Sequence, residues 1–345
     1  MSSAAQLAQL PLLAPPAGRG LPVLDERERG TRFHALPARS VLNSPATTGM
    51  DFWSINPYVG CEFGCTYCYA RETHRWAAER HGLPAEPLPA WEAFERRILV
   101  KTGAPEVLAR TLQPDRLGRQ SLVIGTATDP YQPAERRFRL TRRLLEVLLG
   151  YRGLAIGLIT KSPLVVRDID LLQQLSRRHE VTVNVSLVTL DRRLARRLEL
   201  KSPVPEARIR GLARLTAAGI YAGLLVAPIV PGITDDRAGL DRLLGAAKAA
   251  GARYVIGSAL RLGPVARARF LPVLAREFPD LAERYRRHYA TREGVSPAYQ
   301  RGLTQRLHQL QRRHGFPVDE SFQRRRQLEG YQRRTAAPED QTVLL

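Results

Sequence analysis

The sequence predicts an α/β fold: an open, partial (β/α)6 TIM-like barrel followed by a helical C-terminal appendage. From about residue 50 to 260, short apolar segments alternate with amphipathic helical stretches, the pattern of βα units and a parallel sheet. Six such strands can be counted, too few for the eight of a closed barrel. After residue 262 the strand pattern stops and arginine-rich helical spacing takes over.

Residues 1–44 are rich in Pro, Ala, Leu and Arg without a sustained period, and are expected to form an N-terminal extension, partly disordered. The core is expected over 45–262, and an Arg-rich helical region with a frayed tail over 263–345. The first strand, DFWSINPYVG (Asp51–Gly60), runs into three cysteines. Residues 69–82 and about 88–113 read as helical. LVIGTAT (Leu122–Thr128) is a strand, and FRLTRRLLEVLLG (Phe138–Gly150) an amphipathic helix stopped by its glycine. LAIGLIT (Leu154–Thr160) is a strand and LVVRDIDLLQQLSRR (Leu164–Arg178) a helix. VTVNVSLV (Val181–Val188) shows strand alternation. Helices follow near 191–198 and 205–218, then the strand AGLLVAPIV (Ala222–Val230), a helix over 235–250 and the strand RYVIGSAL (Arg253–Leu260). In such sheets chemistry gathers at the C-terminal ends of the strands, where the cysteines fall.

The 345 residues are 44% hydrophobic, enough for a globular core. No apolar run reaches the roughly 18 residues of a membrane span, so no membrane partner is expected. The apolar QLAQLPLLAPP near the N-terminus lacks a basic flank and is broken by prolines, so it does not read as a signal peptide, and a cytoplasmic location is expected. Lys and Arg number 53 against 33 Asp and Glu, a net charge of +20. That excess favours a polyanionic partner, DNA or RNA first. Only Lys101, Lys161, Lys201 and Lys248 are lysines, and so strong an arginine skew also fits genome-wide composition.

The three cysteines lie within eight residues, Cys61-Glu-Phe-Gly-Cys65-Thr-Tyr-Cys68. An odd, clustered set argues against a disulfide framework. Thiolates bind soft metals and iron–sulfur clusters. Three cysteines on a four-iron cubane leave one iron open, and an open position separates a reactive centre from a structural one. Gly60 and Gly64 relieve crowding where the backbone folds around it. The alternative is a structural zinc site, with His74 as fourth ligand; the chain would then be a zinc-binding nucleic-acid binding protein without catalysis.

The C-x3-C-x2-C spacing after a strand in a βα chain resembles the radical SAM superfamily. GTATDPYQPAERRFRLTRRLLEVL (Gly125–Leu148), LITKSPLVVRDIDLL (Leu158–Leu172) and AGIYAGLLVAPIVPGITD (Ala218–Asp235) resemble its spore photoproduct lyase-like, DNA repair photolyase-like branch, over about 50–260. The resemblance implies a barrel of the radical SAM type, with a 4Fe-4S cluster on Cys61, Cys65 and Cys68. It implies S-adenosylmethionine chelated at the open iron, an electron passed to its sulfonium, and a 5′-deoxyadenosyl radical that abstracts a substrate hydrogen. A flavodoxin- or ferredoxin-like electron donor goes with that chemistry.

Residue by residue, the resemblance sets Tyr67 beside the adenine and Thr128 and Asp129 at the methionine amino end. It sets Lys161 near the carboxylate, Ser186 near the ribose, and Ala227 and Pro228 near the adenine. A lysine kept in so arginine-rich a chain supports Lys161, because Arg replaces Lys badly in a tight pocket. Plainer readings stand beside these: Asp129 setting a turn before Pro130, Ser186 bonding backbone, Tyr67 packing, and Glu135 with Arg136 starting a helix.

One departure matters. Spore photoproduct lyase uses a further cysteine at the end of its second strand as hydrogen donor. Thr126 stands there, and the chain has no fourth cysteine. A threonine O–H bond is too strong for that role; Tyr69 and Tyr131 are the substitutes considered. The expected function is therefore a radical SAM enzyme acting on a nucleic acid, by lesion repair or modification, lyase-like. The alternative is a radical SAM enzyme modifying a peptide, protein or small metabolite.

Overall fold

The computed structural model describes residues 21–27, 30–80, 88–118 and 120–318. Its strands are β1 (Val23–Glu26), β2 (Arg32–Pro37), β3 (Leu42–Asn43), β4 (Trp53–Ile55), β5 (Tyr58–Val59), β6 (Arg97–Thr102), β7 (Leu122–Ile124), β8 (Ala155–Thr160), β9 (Glu180–Ser186), β10 (Ala222–Ile229) and β11 (Val255–Ala259). Seven form one sheet in the order β11-β10-β9-β8-β7-β4-β3. All pair in parallel except β3, which joins β4 antiparallel. The six parallel strands are the six expected, and the sheet is open, its edges β3 and β11 lying at opposite ends of the order.

Burial on both faces explains why these runs read as continuous apolar segments: the successive residues Leu122, Val123 and Ile124 are all fully buried, and across the sheet Ile55, Ile124, Leu158, Val183 and Ala222 form one buried row. A parallel sheet covered on both faces needs apolar residues in both orientations.

The main helices are α1 (Arg71–Arg80), α2 (Ala90–Arg96), α3 (Ala104–Thr111), α4 (Leu140–Leu148), α5 (Ile169–Ser176), α6 (Arg192–Leu198), α7 (Pro205–Ala217), α8 (Arg237–Ala249), α9 (Pro264–Glu277), α10 (Pro279–Tyr289) and α11 (Pro297–Arg313). On α8 the buried residues are Leu240, Leu243, Leu244 and Ala247, the spacing of one helix face turned to the core. Helix α11 lies along the edge strand β11. Gln311 donates to Val255 O at 2.8 Å, and Leu307 packs so close to Gly257 that a Cβ there would lie 2.7 Å from its Cδ1. An open edge of the sheet is thereby covered. Among the described residues no helix is long and apolar enough to cross a membrane.

Three expectations are corrected. The stretch 88–113 is not one helix: it is α2, β6 and α3. Ile98, Leu99 and Val100 form a buried apolar run that carries neither period, and pairing with β2 and β5 decides for strand. This creates a second sheet, β1-β2-β6-β5, partly from the N-terminal extension. Asp51–Gly60 is two strands, β4 in the large sheet and β5 in the small one. The helix expected from Phe138 breaks at Arg139, whose φ of 51° separates Glu135–Phe138 from α4. Residues 1–20 and the frayed tail, from 319 onward, lie outside the described residues.

Candidate active site

The cysteine loop follows β5. Gly60, at φ 90°, has its would-be Cβ 2.8 Å from Phe94 O, so no side chain fits there. Cys61 N donates to that same carbonyl at 2.9 Å. Gly64, at φ 63°, lies against the Glu95 carboxylate. Opposite, the turn after α6 forms a platform. Thr66 donates to Leu198 O through both N and Oγ1, each at 2.9 Å, and Lys201 N donates to Phe63 O at 3.0 Å. Cys65 forms an isolated β-bridge with Glu199, and its Sγ lies 3.5 Å from Ser202 Oγ. Arg71, fully buried, donates to Cys65 O at 2.6 Å and to Glu95 at 2.8 Å.

Two residues expected at the methionine end are engaged by the protein itself. Thr128 donates to Gly60 O at 2.6 Å and accepts from Gln132 Nε2 at 2.9 Å. Asp129 accepts from Thr160 Oγ1, Lys161 N and Tyr131 N at 2.7, 2.7 and 2.9 Å. Both side chains therefore hold the loop after β7 to its neighbours, an extension of the turn reading for Asp129.

Tyr67, Lys161 and Ser186 do come together. Lys161 Nζ lies 2.8 Å from Ser186 Oγ, 3.7 Å from Glu199 Oε1 and 5.9 Å from the Tyr67 ring centre. The Tyr67 hydroxyl donates to Glu199 Oε1, and the Arg208 guanidinium to Glu199 Oε2. Arg208 also donates to Ser186 O at 3.1 Å and to Pro203 O at 2.8 Å. Burial pushes the Glu199 carboxyl up, but Arg208 and Lys161 outweigh it and hold it below the usual range. Burial pulls Lys161 down; Glu199 and Cys65 more than restore it. Lys161 and Arg208 face Glu199, with the Asp129 carboxylate also near Lys161 and the cysteines. Ala227 and Pro228 stand at the C-terminal end of β10, half-buried.

Nothing in the sequence singles out Glu199 and Arg208. RRLELKSP reads as a solvated helix end, and one arginine among so many carries no signal. Glu135 is more than a helix start: fully buried, it accepts from Tyr58 Oη at 2.6 Å, Thr141 N at 3.0 Å and Arg167 at 2.9 Å. Its neighbour Arg136 is exposed.

The two tyrosines considered as hydrogen donors part company. Tyr131 is wholly enclosed, 5.9 Å beneath the Arg167 guanidinium, and cannot meet a substrate. Tyr69 is 49% exposed, and its hydroxyl donates to Thr126 O. The Thr126 hydroxyl itself accepts from Asn56 Nδ2 at 3.1 Å.

The donor set fits an iron–sulfur cluster. Burial, then Asp129 and Cys65, push the Cys61 thiol far up; burial lifts Cys65 to about 12 against the pull of Lys161, and raises Cys68 as well. Thiolates at these positions require a cationic centre among them. Among the described residues no three His, Cys, Asp or Glu side chains converge on a single ion. A cubane asks its three sulfurs to stand farther apart than one ion would. His74 is not a zinc ligand in waiting: its Nε2 lies 2.8 Å from Arg97 O and its ring packs edge-on to Phe94.

Residues 55–244, more than half the chain, match the Radical SAM superfamily. The chain belongs to that superfamily. This radical SAM enzyme accordingly uses a 4Fe-4S cluster and S-adenosylmethionine. It is 34% identical over 280 residues to an uncharacterized protein of Mycobacterium tuberculosis, covering 81% of this chain and 79% of that one. An uncharacterized protein of Methanocaldococcus jannaschii is 28% identical over 200 residues, 58% of this chain and 68% of that one. In fold it is similar to spore photoproduct lyase: a mutant with bound AdoMet and dinucleoside spore photoproduct superposes with a TM-score of 0.59 at 16% identity, over 86% of this chain and 83% of that one. The radical SAM type of barrel is thus the fold observed.

Proposed function

We propose that this radical SAM enzyme acts on a nucleic acid, repairing a lesion or modifying a base, with Cys61, Cys65 and Cys68 as the cluster ligands. A cluster held there would supply the one-electron reduction of S-adenosylmethionine by which this superfamily starts hydrogen-atom abstraction. The remaining work falls to side chains. Lys161 binds the carboxylate, as a compact charge held in line by Ser186 and Glu199. Tyr67 borders the adenine, with its hydroxyl fixed on Glu199. Ser186 faces the ribose, and Ala227 and Pro228 line the adenine side. Thr128 and Asp129 act through the loop they hold, leaving the methionine amino end to its backbone. Tyr69, exposed beside Thr126, is the hydrogen donor in place of the missing cysteine. A flavodoxin- or ferredoxin-like protein supplies the electron.

The observation that carries the substrate class is where positive charge meets the strand ends. Tyr285 of α10 and Tyr299 of α11 tie these helices to the loop that leaves β10, at the end of the sheet on which the cysteine loop lies, and the outer faces of both helices carry exposed arginines. The shared fold with spore photoproduct lyase, solved with a dinucleoside photoproduct, supports the same class. Thr126 in place of a cysteine points away from the identical lesion chemistry.

The test is binding of fluorescein-labelled duplex DNA, single-stranded DNA and RNA to the anaerobic holoenzyme, from about 50 to 200 mM salt. Affinity that falls steeply with salt is expected. No binding of any probe at the lowest salt would transfer the reading to a peptide, protein or small-metabolite substrate.

A further inference from the structure

The turn between α10 and α11 opens a cleft of about 500 Å³ lined by Arg284, Arg287, His288, Thr291, Arg292 and Ser296. The lining holds three guanidiniums, an imidazole and two hydroxyls, with no carboxylate and no apolar side chain. Arg284, Arg287 and His288 recur at helical spacing on one face of α10, while Tyr285 and Tyr289 take the opposite face into the core.

This charge is not spent within the protein. Arg287 reaches Glu283 at 3.5 Å, in an exposed pair that contributes little. Glu283 is shared with Arg286, and Glu293, the other nearby acid, lies 3.6 Å from Arg261. Arg284 and Arg292 hold no ion pair among the described residues.

The cleft also has a place relative to the site. Tyr285 Oη donates to Pro231 O at 2.5 Å, Tyr299 Oη to Asp235 Oδ2 at 2.7 Å, and Leu262 N to Glu293 O at 2.8 Å. Its walls therefore hang on the segments that leave the C-terminal ends of β10 and β11. From Ser296 a polar stripe continues through Gln300, Thr304 and His308 at four-residue steps on α11. A second open groove there, of about 320 Å³, adds Arg301 and Arg312. At about 1.5 Å per residue the stripe from Ser296 to Arg312 is roughly 24 Å long, the reach of several nucleotides.

We infer that this cleft and the stripe beyond it bind the phosphodiester backbone of the nucleic-acid substrate, holding it across the lip of the active-site face. The inference rests on the proposed nucleic-acid reading and gives it a surface. Guanidiniums fork onto phosphate oxygens and the hydroxyls donate to the remainder, while His288, its Nε2 turned to Gly294 O at 3.0 Å, shapes the turn between the helices. Arginine clusters also take acidic motifs, but basic and hydroxyl side chains spread along a stripe of roughly 24 Å suit the evenly spaced phosphates of a nucleic-acid backbone better.

The experiment compares the wild-type holoenzyme with the triple variant Arg284→Gln, Arg287→Gln, Arg292→Gln. The probes are a labelled DNA duplex of about twenty pairs and single strands of DNA and RNA of the same length. For the duplex, the slope of log affinity against log salt is expected to shrink by about two to three, at roughly 0.9 for each phosphate no longer neutralised. The charge-retaining Arg→Lys triple variant is expected to keep the slope, and serves as control for folding. Formation of 5′-deoxyadenosine without substrate is expected to be unchanged in both, since neither touches the cysteine loop. Wild-type binding with an unaltered slope in the Gln variant overturns the cleft and leaves the nucleic-acid reading standing. Absence of wild-type binding to every probe overturns that reading, and the cleft with it. Displacement of the oligonucleotide by poly-glutamate at lower charge concentration would assign the cleft to an acidic protein instead. The three probes, ranked by affinity, separate duplex, single strand and RNA as the source of the phosphates.

Discussion

The two ends of the parallel strands are built on different principles. Toward their N-terminal ends Leu122, Ile156, Val181, Ala222 and Leu224 meet Leu148, Leu175, Leu215 and Ala247 of the helices, and apolar packing carries that end. Toward their C-terminal ends the same strands deliver Asp129, Lys161 and Ser186 to a buried network with Glu199 and Arg208. A lost methyl group at the first end leaves a cavity. A lost partner at the second leaves a largely buried charge without its counterion. The difference separates the apolar packing that keeps this chain folded from a buried charged network beside the cysteine loop.

Substitutions can break or sharpen that contrast. The largest stability effect is expected from Glu199→Gln, which strands Lys161 and Arg208 as buried cations and should cost about 3–5 kcal/mol in urea unfolding of the anaerobic protein. It should also weaken S-adenosylmethionine binding, because Tyr67 and Lys161 lose their common anchor. A loss under about 1 kcal/mol, the size of an exposed pair, would mean the network is not coupled. Next comes Leu224→Ala at the apolar end. It should cost about 2–5 kcal/mol by cavity formation, with no change in cofactor affinity measured by calorimetry. If affinity falls in step with stability, the two ends are not separable. Lys161→Ala should reverse the pattern. Removing a charge-assisted bond worth about 1.5–3 kcal/mol should weaken S-adenosylmethionine roughly ten- to hundredfold, with the unfolding midpoint moved little. The smallest effect is expected from Tyr69→Phe. Tyr69 is a half-exposed residue, and losing its hydroxyl should leave stability within about 0.5 kcal/mol while lowering product formed per 5′-deoxyadenosine.

The same contrast governs what could be read from the sequence. The parallel sheet was legible because each buried strand is an apolar run bounded by a helix, a local signal. Strand β6 was not, because its partner β2 lies some 65 residues earlier and RILVKT carries neither period. The spacing of the cysteines and the rarity of Lys161 beside so many arginines are features of the sequence itself; that Lys161 meets Ser186 and Glu199 comes only from the fold. Glu199 and Arg208 were invisible: nothing local marks a charged residue as buried when its burial depends on a loop more than 130 residues away. Tyr69 and Tyr131 could be told apart only by the fold, which encloses one and exposes the other.

The most direct test is to purify the protein without oxygen, reconstitute it with iron and sulfide, add dithionite and S-adenosylmethionine, and measure 5′-deoxyadenosine beside the Cys65→Ala variant. The account predicts a brown wild-type protein holding four irons per chain that forms 5′-deoxyadenosine, and a variant that forms none. A wild-type protein that stays colourless and inactive after reconstitution, or a variant that keeps the activity, would contradict it.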